Sequence, residues 1–140
     1  MKESKTVMEP GTLLVTRTVQ PREVDLFLFS AITWNPHRIH YDRDYARTEG
    51  YPDMLVAGPH QAALLAQMLS DYARSCGGRV ESMAVRHRSP AYCSQVLELE
   101  AVVSRAAVDA GWCRVEADLR IRAADSLVVT GRAGLMLPVA

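Results

Sequence analysis

The stretch HQAALLAQMLSDYARSC, residues 60–76, carries the strongest helix signal in the chain and decides the fold. Its apolar side chains recur at helical spacing and cover most of the circumference: Ala62, Ala63, Leu64, Leu65, Ala66, Met68, Leu69 and Tyr72. Gly77-Gly78 then ends the helix. A helix this apolar must be covered on most sides, so we expect it to lie at the centre of a domain.

Four strand candidates follow this helix, at residues 81–88, 94–106, 111–124 and 126–137. In the third, apolar and polar residues alternate from Trp112 to Ile121, which is typical of a strand with one buried face. Asp109-Ala110-Gly111 and Asp125-Ser126 are expected to form hairpin turns between strands. The second half of the chain therefore predicts an antiparallel meander of four long strands.

The first half is predicted to contain shorter elements. Residues 12–20 suit a strand, and Pro21 is expected to open a short helix. The apolar residues of that helix are Val24, Leu26, Phe27, Leu28 and Ala31. TWNPHRIHY, residues 33–41, is expected to form a loop, and a short helix is predicted from Asp42, as its N-cap, to Gly50.

One arrangement of these elements buries both the apolar face of the sheet and the apolar helix. A sheet with one apolar face needs a cover, and the chain offers a single sufficiently apolar helix. We therefore predict an α+β domain in which a curved antiparallel sheet of about five strands wraps around that helix. This is the hot-dog arrangement; the alternative is an α+β sandwich with all helices on one side. The domain is expected to span residues 1–140, with 1–10 as a loose lead-in.

Composition narrows the function classes. Sixteen basic and sixteen acidic residues cancel, so no net field attracts nucleic acid or an anionic membrane. No apolar stretch is long enough to span a bilayer, and MKESKTVMEPG lacks the apolar segment of a signal peptide. Three cysteines without metal-ligand spacing predict a reduced, cytoplasmic protein with no bound metal.

Residues 29–65 contain several short sequence motifs close together. These are Ser30-Ala31-Ile32-Thr33, Trp34, Asn35, His37-Arg38-Ile39-His40-Tyr41-Asp42, Glu49-Gly50-Tyr51-Pro52 and Gly58-Pro59. The set resembles the signature region of the MaoC-like hydratases and dehydratases. In particular it is similar to the branch of type 2 3-hydroxyacyl-thioester dehydratases and mesaconyl-CoA-type hydratases.

The resemblance implies a hot-dog dimer that acts on acyl thioesters of coenzyme A or acyl carrier protein. The implied reaction is reversible hydration of a 2-enoyl thioester to a 3-hydroxyacyl thioester, with no cofactor besides the carrier of the substrate. A homodimer is expected, since the two edges of a five-stranded sheet invite pairing. A heterodimer with a second hot-dog chain is the alternative.

The family motif is Gly-Asp-x-Asn-Pro-x-His, and this chain matches it imperfectly in two registers. Aligning on the final histidine places His40 at the catalytic His and Asn35 at the catalytic Asp. Aligning on Asn35-Pro36 instead places Thr33 at the Asp and Arg38 at the His. The first register preserves more of the downstream pattern, and neither register supplies an acid.

Hydration needs a proton acceptor, a proton donor and a place for charge on the thioester oxygen. An imidazole can accept and donate near neutrality, so His40 is the predicted acid/base, with His37 as a second candidate. Asn35 can position water through its amide, and Asp42 can orient His40. The N–H of Gly58, before the long helix, is the predicted oxyanion donor.

Six further residues are candidates for substrate binding: Arg38, Tyr51, His60, Leu64, Arg86 and Arg88. Arg86 and Arg88 fall on one face of a strand, where they can meet the phosphates of coenzyme A or simply line an exposed sheet face. His60 is expected in the first turn of the long helix, facing solvent. The acyl chain is expected to lie along Leu64, Leu65 and Met68.

Less specific interpretations stay open. His37 and His40 can serve only as hydrogen-bonding loop residues. The chain can also be a non-catalytic or partner-dependent hot-dog subunit, as the missing acid suggests. A thioesterase or a tailoring enzyme is a third possibility, although Asp71, near the far end of the long helix, is the only acid within it.

Overall fold

The structure is a computed structural model that describes residues 8–139, so most of the expected lead-in lies outside the described residues. The elements, named here in chain order, are β1 (Leu13–Val19), α1 (Glu23–Ile32), a one-turn 3-10 helix (Arg38–His40), α2 (Arg43–Thr48), α3 (Gly58–Ser75), β2 (Arg79–His87), β3 (Leu97–Asp109), β4 (Trp112–Ala123) and β5 (Ser126–Pro138). The predicted elements are present, with ends that shift by a few residues.

The five strands form one antiparallel sheet in the order β1-β3-β4-β5-β2. The buried face of this sheet packs against α3, and the side chains of both make a single core. The alternation predicted for β4 is confirmed, because Cys113, Val115, Ala117, Leu119 and Ile121 are all buried. A sheet wrapped around one central helix is the hot-dog fold, as predicted.

The predicted four-strand meander is wrong in one respect. Only β3, β4 and β5 follow each other in the sheet, whereas β2 pairs with β5 at the far edge. The physical reason is the connection at residues 88–96, which makes hydrogen bonds of its own. Ala91 and Cys93 pair with Val56 and Met54, so the connection is held by the segment before α3 and β3 does not return beside β2 as a hairpin.

The hairpin turns follow the predicted chemistry with one shift. Ala110 and Gly111 join β3 to β4 with φ values of 48° and 81°. The next turn lies at Ala124 and Asp125, and Ser126 already pairs with Ala123 as the first residue of β5. Ala124 adopts a φ of 50°, so the turn centres one residue earlier than Asp125-Ser126.

The central helix α3 is buried along the predicted stripe. Leu65, Met68 and Leu69 are fully buried, whereas Ala63 on the opposite side is exposed. Gly77 has a φ of 73°, and the Gly78 N–H donates to the Ala73 carbonyl, so the glycine pair ends the helix as expected. No helix in residues 8–139 is long and apolar enough to cross a membrane.

The helix α1 departs from the amphipathic pattern predicted for it. Among its apolar residues Leu26 is buried, but Val24, Phe27 and Leu28 are about half exposed. The inner face of the sheet is already occupied by α3, so no sheet surface remains for a second apolar stripe. The result is an exposed apolar surface that continues through Ile32 to Trp34, and we call it the α1 surface.

We expect Leu69→Ala to lower the free energy of unfolding by about 2–5 kcal/mol, because Leu69 is fully buried and its truncation leaves a cavity beside the sheet. Urea unfolding monitored by circular dichroism measures the change. Gln67→Ala is the matched control, since Gln67 is exposed on the same helix and should change stability by less than about 0.5 kcal/mol. Equal effects of the two substitutions would contradict the central position of α3.

Candidate active site

The His40 imidazole is held in one orientation by a backbone carbonyl. Its Nδ1 lies 2.9 Å from the Leu55 carbonyl oxygen, which can only accept, so Nδ1 carries the proton. The neutral ring therefore presents its lone pair at Nε2. Burial lowers the pKa of His40, an effect that the Leu55 hydrogen bond opposes and the charge of His37 reinforces. A neutral imidazole with a free Nε2 is what a general base requires.

Leu55 also fixes the loop that carries His40. Its N–H donates to the Ile39 carbonyl at 2.9 Å, beside the bond from His40 to its own carbonyl. Leu55 belongs to the segment that leads into α3, and it forms a β-bridge with Tyr92 on its other side. The histidine loop is thus tied to the start of the central helix by two hydrogen bonds.

Asp42 performs a different task from the one expected of it. Its carboxylate accepts from the Tyr45 N–H at 3.0 Å and from Arg38, so it caps α2 as the sequence predicted. The same two contacts hold the pKa of Asp42 below its usual value, with the Tyr45 N–H as the larger cause. The orienting role foreseen for Asp42 belongs instead to the Leu55 carbonyl.

Arg38 is engaged within the same loop. Its guanidinium bonds Asp42 at 2.6 Å and lies 4.4 Å from the centre of the Tyr45 ring. The bonds to Asp42 engage Nε and one terminal nitrogen of Arg38, while the side chain as a whole stays exposed. A role for Arg38 in substrate binding stays a prediction.

His37 and Asn35 lie beside His40 in the loop. The His37 ring centre is 6.0 Å from that of His40, and its Nδ1 accepts from the Ile39 N–H at 3.4 Å. The Asn35 N–H donates to the Ser30 carbonyl, while its side-chain oxygen is a distant 3.5 Å from the His37 N–H. The amide of Asn35 is therefore only weakly committed to protein partners.

The start of α3 supplies free backbone donors. Gly58 and Pro59 are the first two residues of the helix, which therefore begins two residues earlier than the sequence suggested. The first backbone hydrogen bond entering the helix runs from the Gln61 N–H to the Ala57 carbonyl. The Gly58 N–H precedes it and carries the positive end of the helix dipole.

His60 is only partly exposed, whereas a solvent-facing side chain was expected. It is half-buried, and its ring stacks on Phe29 with centres 4.4 Å apart and planes 4° apart. Burial lowers the pKa of His60, Asp25 opposes this effect, and the charge of His40 adds to it. The buried Nδ1 of His60 and the Oγ of Ser30 have no hydrogen-bond partner within residues 8–139.

Two residues that the sequence did not place among the catalytic candidates, His87 and Gln61, lie next to Gly58. His87, the last residue of β2, places its ring so close that a Cβ on Gly58 would lie 3.0 Å from Nε2. Its Nδ1 is 3.2 Å from Oε1 of Gln61. Gln61 is buried, with 3% of its surface exposed. The signal available beforehand was a polar Gln61 within an apolar helical stripe.

The remaining candidates lie apart from the histidine loop. Because His87 points toward α3, its neighbours Arg86 and Arg88 point to the opposite face of the sheet. There they line an open cleft of about 610 Å³ with Arg120, Thr130 and Arg132. Their predicted role with a carrier phosphate is neither supported nor contradicted by this position.

The structure also gives the burial and the partners of the remaining predicted residues. Leu65 and Met68 are fully buried in the core, so only the partly exposed Leu64 of that trio can meet an acyl chain. Tyr51 is partly buried just after α2, where its N–H donates to the Ala46 carbonyl. Asp71, the acid considered for a thioesterase, is paired with Arg17 at 3.0 Å.

Comparison with known proteins adds the family. The family model for hydroxyacyl-thioester dehydratase type 2 matches residues 1–93, which is more than half of the chain. The chain belongs to this family. Mesaconyl-C(4)-CoA hydratase from Chloroflexus aurantiacus is 56% identical over 55 residues, or 39% of this chain and 20% of that protein. The chain spans between 18% and 27% of the curated relatives it matches.

Solved structures show the same fold. The (R)-hydratase from A. caviae superposes with a TM-score of 0.82 at 20% identity, over 95% of this chain and 99% of that one. The ChsH1-ChsH2 complex from Mycobacterium tuberculosis gives 0.77 at 20% identity, over 92% and 98%. These structures confirm the fold predicted from the helix and strand pattern, and the family model confirms the family suggested by residues 29–65.

We expect His40 to titrate below 6.5 and the fold to lose stability as pH falls below that value. Burial lowers the folded-state pKa of both His40 and His60, so their contribution to stability is fully present above 6.5 and is lost as pH falls through the lowered values. Ring nitrogen NMR and urea unfolding at a series of pH values measure both effects.

The carboxylates provide the internal control for this titration. Asp25, Asp42 and Asp53 have lowered pKa values as well, but their effect on stability begins near 3.8 and below. A double substitution of His40 and His60 by Phe should therefore flatten the stability curve between these two ranges. An unchanged slope there would contradict the assignment to the histidines.

Proposed function

We propose that this chain catalyses the reversible hydration of a 2-enoyl thioester to a 3-hydroxyacyl thioester, with His40 as the acid/base. The observation that carries the proposal is the bond from His40 Nδ1–H to the Leu55 carbonyl, which leaves Nε2 free to take a proton from water. In the hydration direction the water oxygen adds to C3. The proton that His40 accepts is then returned to C2, so one imidazole serves both transfers.

The start of α3 suits the carbonyl end of the substrate. As the proton acceptor acts, negative charge develops on the thioester oxygen, and the Gly58 N–H is available to stabilise it. One such donor contributes about 3–4 kcal/mol to a transition state of this kind. Leu55 is only three residues before Gly58, so the same segment holds the base on one side and leads to the donor.

Asn35 occupies the position of the missing acid in the register that aligns His40 with the family histidine. It cannot act as a base, but its amide offers both a donor and an acceptor for water. Its weak commitment to the His37 N–H, at 3.5 Å, supports a water-positioning role. His37 stays a second imidazole candidate, and its charge also helps to keep His40 neutral.

A second candidate is a subunit whose activity depends on a partner chain. The specific observation in its favour is the α1 surface, where Phe27, Ile32 and Trp34 are exposed, Trp34 by 90%. Clustered apolar exposure of this kind is typical of protein interfaces. One solved chain with this fold comes from a structure of the ChsH1-ChsH2 complex, which supports a heterodimer as the alternative to the predicted homodimer.

The proposals for the carrier of the acyl group and for the cellular location of the protein rest on the sequence. We propose that the acyl group arrives on coenzyme A or on the phosphopantetheine arm of a carrier protein. The Chloroflexus relative, a mesaconyl-C(4)-CoA hydratase, supports the first of these carriers. No further cofactor is required by this chemistry. A cytoplasmic location remains a prediction from the three cysteines.

The test is turnover of crotonyl- and octenoyl-coenzyme A, followed by loss of the enoyl-thioester absorbance, for the wild type, His40→Ala and His40→Asn. The Asn amide can replace Nδ1–H toward the Leu55 carbonyl but offers no base at the position of Nε2. We expect both variants to lose about 10²–10⁴-fold in kcat.

Each outcome separates a structural from a chemical role. Activity retained in His40→Asn but lost in His40→Ala would show that His40 only holds the loop, against the proposal. A silent but folded wild type would favour the partner-dependent subunit. Its mass in solution, measured by light scattering with and without candidate hot-dog chains, would then decide between the homodimer and the heterodimer.

A further inference from the structure

His87 stands beside the Gly58 donor without a role in the chemistry described above. It is the last residue of β2, which lies at an edge of the sheet, and its side chain points inward to α3. The contact is close: a Cβ on Gly58 would meet Nε2 at 3.0 Å, Cε1 at 3.2 Å and Cδ2 at 3.4 Å. The ring therefore packs directly against the first residue of α3.

A chain of hydrogen bonds fixes which nitrogen of His87 carries the proton. Gln61 donates from Nε2 to the Val56 carbonyl at 2.9 Å, and that carbonyl can only accept. The other Gln61 atom, Oε1, is therefore the acceptor that faces His87 Nδ1 at 3.2 Å. It follows that His87 Nδ1 is the donor and that the neutral ring has its lone pair at Nε2.

The other ring nitrogen, Nε2, lies next to Gly58 at the start of α3. Within residues 8–139 His87 makes one side-chain hydrogen bond, the one through Nδ1, and the residue as a whole is exposed. Gln61 is buried and held at both ends of its amide, so the orientation of the ring does not depend on a flexible partner. An acceptor that is fixed in place and has no protein hydrogen-bond partner among the described residues is suited to bind an N–H group of a ligand.

We propose that His87 is a substrate-binding residue whose Nε2 accepts the first amide N–H of the pantetheine arm. This inference rests on the proposed function, because it takes the thioester oxygen to lie at the Gly58 N–H. In a pantetheine thioester that amide nitrogen is separated from the sulfur by two methylene groups. Coenzyme A and carrier proteins share this part of the arm, so the contact serves both carriers.

The dimensions agree with such a contact. Adding standard bond lengths to the 3.0 Å separation puts Nε2 within about 6 Å of the Gly58 nitrogen. The oxygen and the amide nitrogen of a thioester substrate span a similar distance across the sulfur and the two methylenes. One substrate can therefore bind Gly58 through its carbonyl and His87 through its amide at the same time.

The experiment compares two minimal substrates that differ in this N–H alone. The first is S-crotonyl-N-acetylcysteamine, which ends in the amide; the second is its acetoxy counterpart, in which oxygen replaces the N–H. For the wild type we expect kcat/KM to favour the amide by about three- to tenfold, the value of one hydrogen bond between neutral groups. The difference should appear mainly in KM, since the amide is remote from the reacting carbons.

Two variants of His87 give a matched pair. The amide of Asn reaches the position of Nδ1, so His87→Asn keeps a donor for Gln61 but has no acceptor at the position of Nε2. The longer Gln can place its amide oxygen near the position of Nε2. We expect equal kcat/KM for the two substrates in His87→Asn. In His87→Gln we expect kcat/KM to keep part of the preference for the amide.

The outcomes separate this inference from the function on which it rests. Turnover of both probes by the wild type with equal kcat/KM, or a full preference retained in His87→Asn, would overturn the role of His87 and leave the hydratase intact. Failure of the wild type with these probes and with the coenzyme A thioesters would overturn the hydratase and this inference together. A preference lost in His87→Asn and kept in His87→Gln, with equal thermal stability, would support it.

Discussion

The backbone of Leu55 is the point on which the candidate site depends. Its N–H and C=O bind the Ile39 carbonyl and the His40 ring, while its neighbours Met54 and Val56 pair with the connection that crosses to β3. One extended segment thus holds the histidine loop on one side and the sheet connection on the other. Because buried backbone groups must be paired, moving this segment would break both sets of bonds at once.

The same segment leads directly into the central helix, and this relates the fold to the chemistry. The α3 helix is held by its buried leucines and methionine, so its first turn has a fixed position relative to the sheet. A free N–H at Gly58 and an oriented imidazole at His40 are then set at the two ends of a short, rigid stretch. Preorganisation of this kind stabilises developing charge without further rearrangement.

The packing of α3 and the strand order determine the positions of α1 and β2. With α3 covering the inner face of the sheet, α1 can bury only Leu26 and Ser30, and its other apolar residues stay at the surface. The pairing of β2 with β5, at the edge, brings His87 to Gly58. Both the α1 surface and the His87 contact are therefore consequences of strand order and helix placement.

Local patterns in the sequence determined the elements and the family. The helical stripe from Ala62 to Tyr72, the alternation in β4, the Asp42 cap and the glycine pair after α3 are short-range signals, and each was predicted correctly. The residues from Ser30 to Pro59 were enough to identify the family, since they lie close together in the chain. The same local motif predicted His40 as the acid/base residue.

Only the tertiary structure decided which groups meet. Leu55 replaces Asp42 as the partner of His40, His60 turns inward onto Phe29, and His87 reaches Gln61 across 26 positions of the chain. The position of β2 was also beyond local patterns, because strand order depends on how a long connection packs. The physical reason is common to all of these: a side chain's partners are set by packing between distant segments, whereas its element is set by its neighbours in the chain.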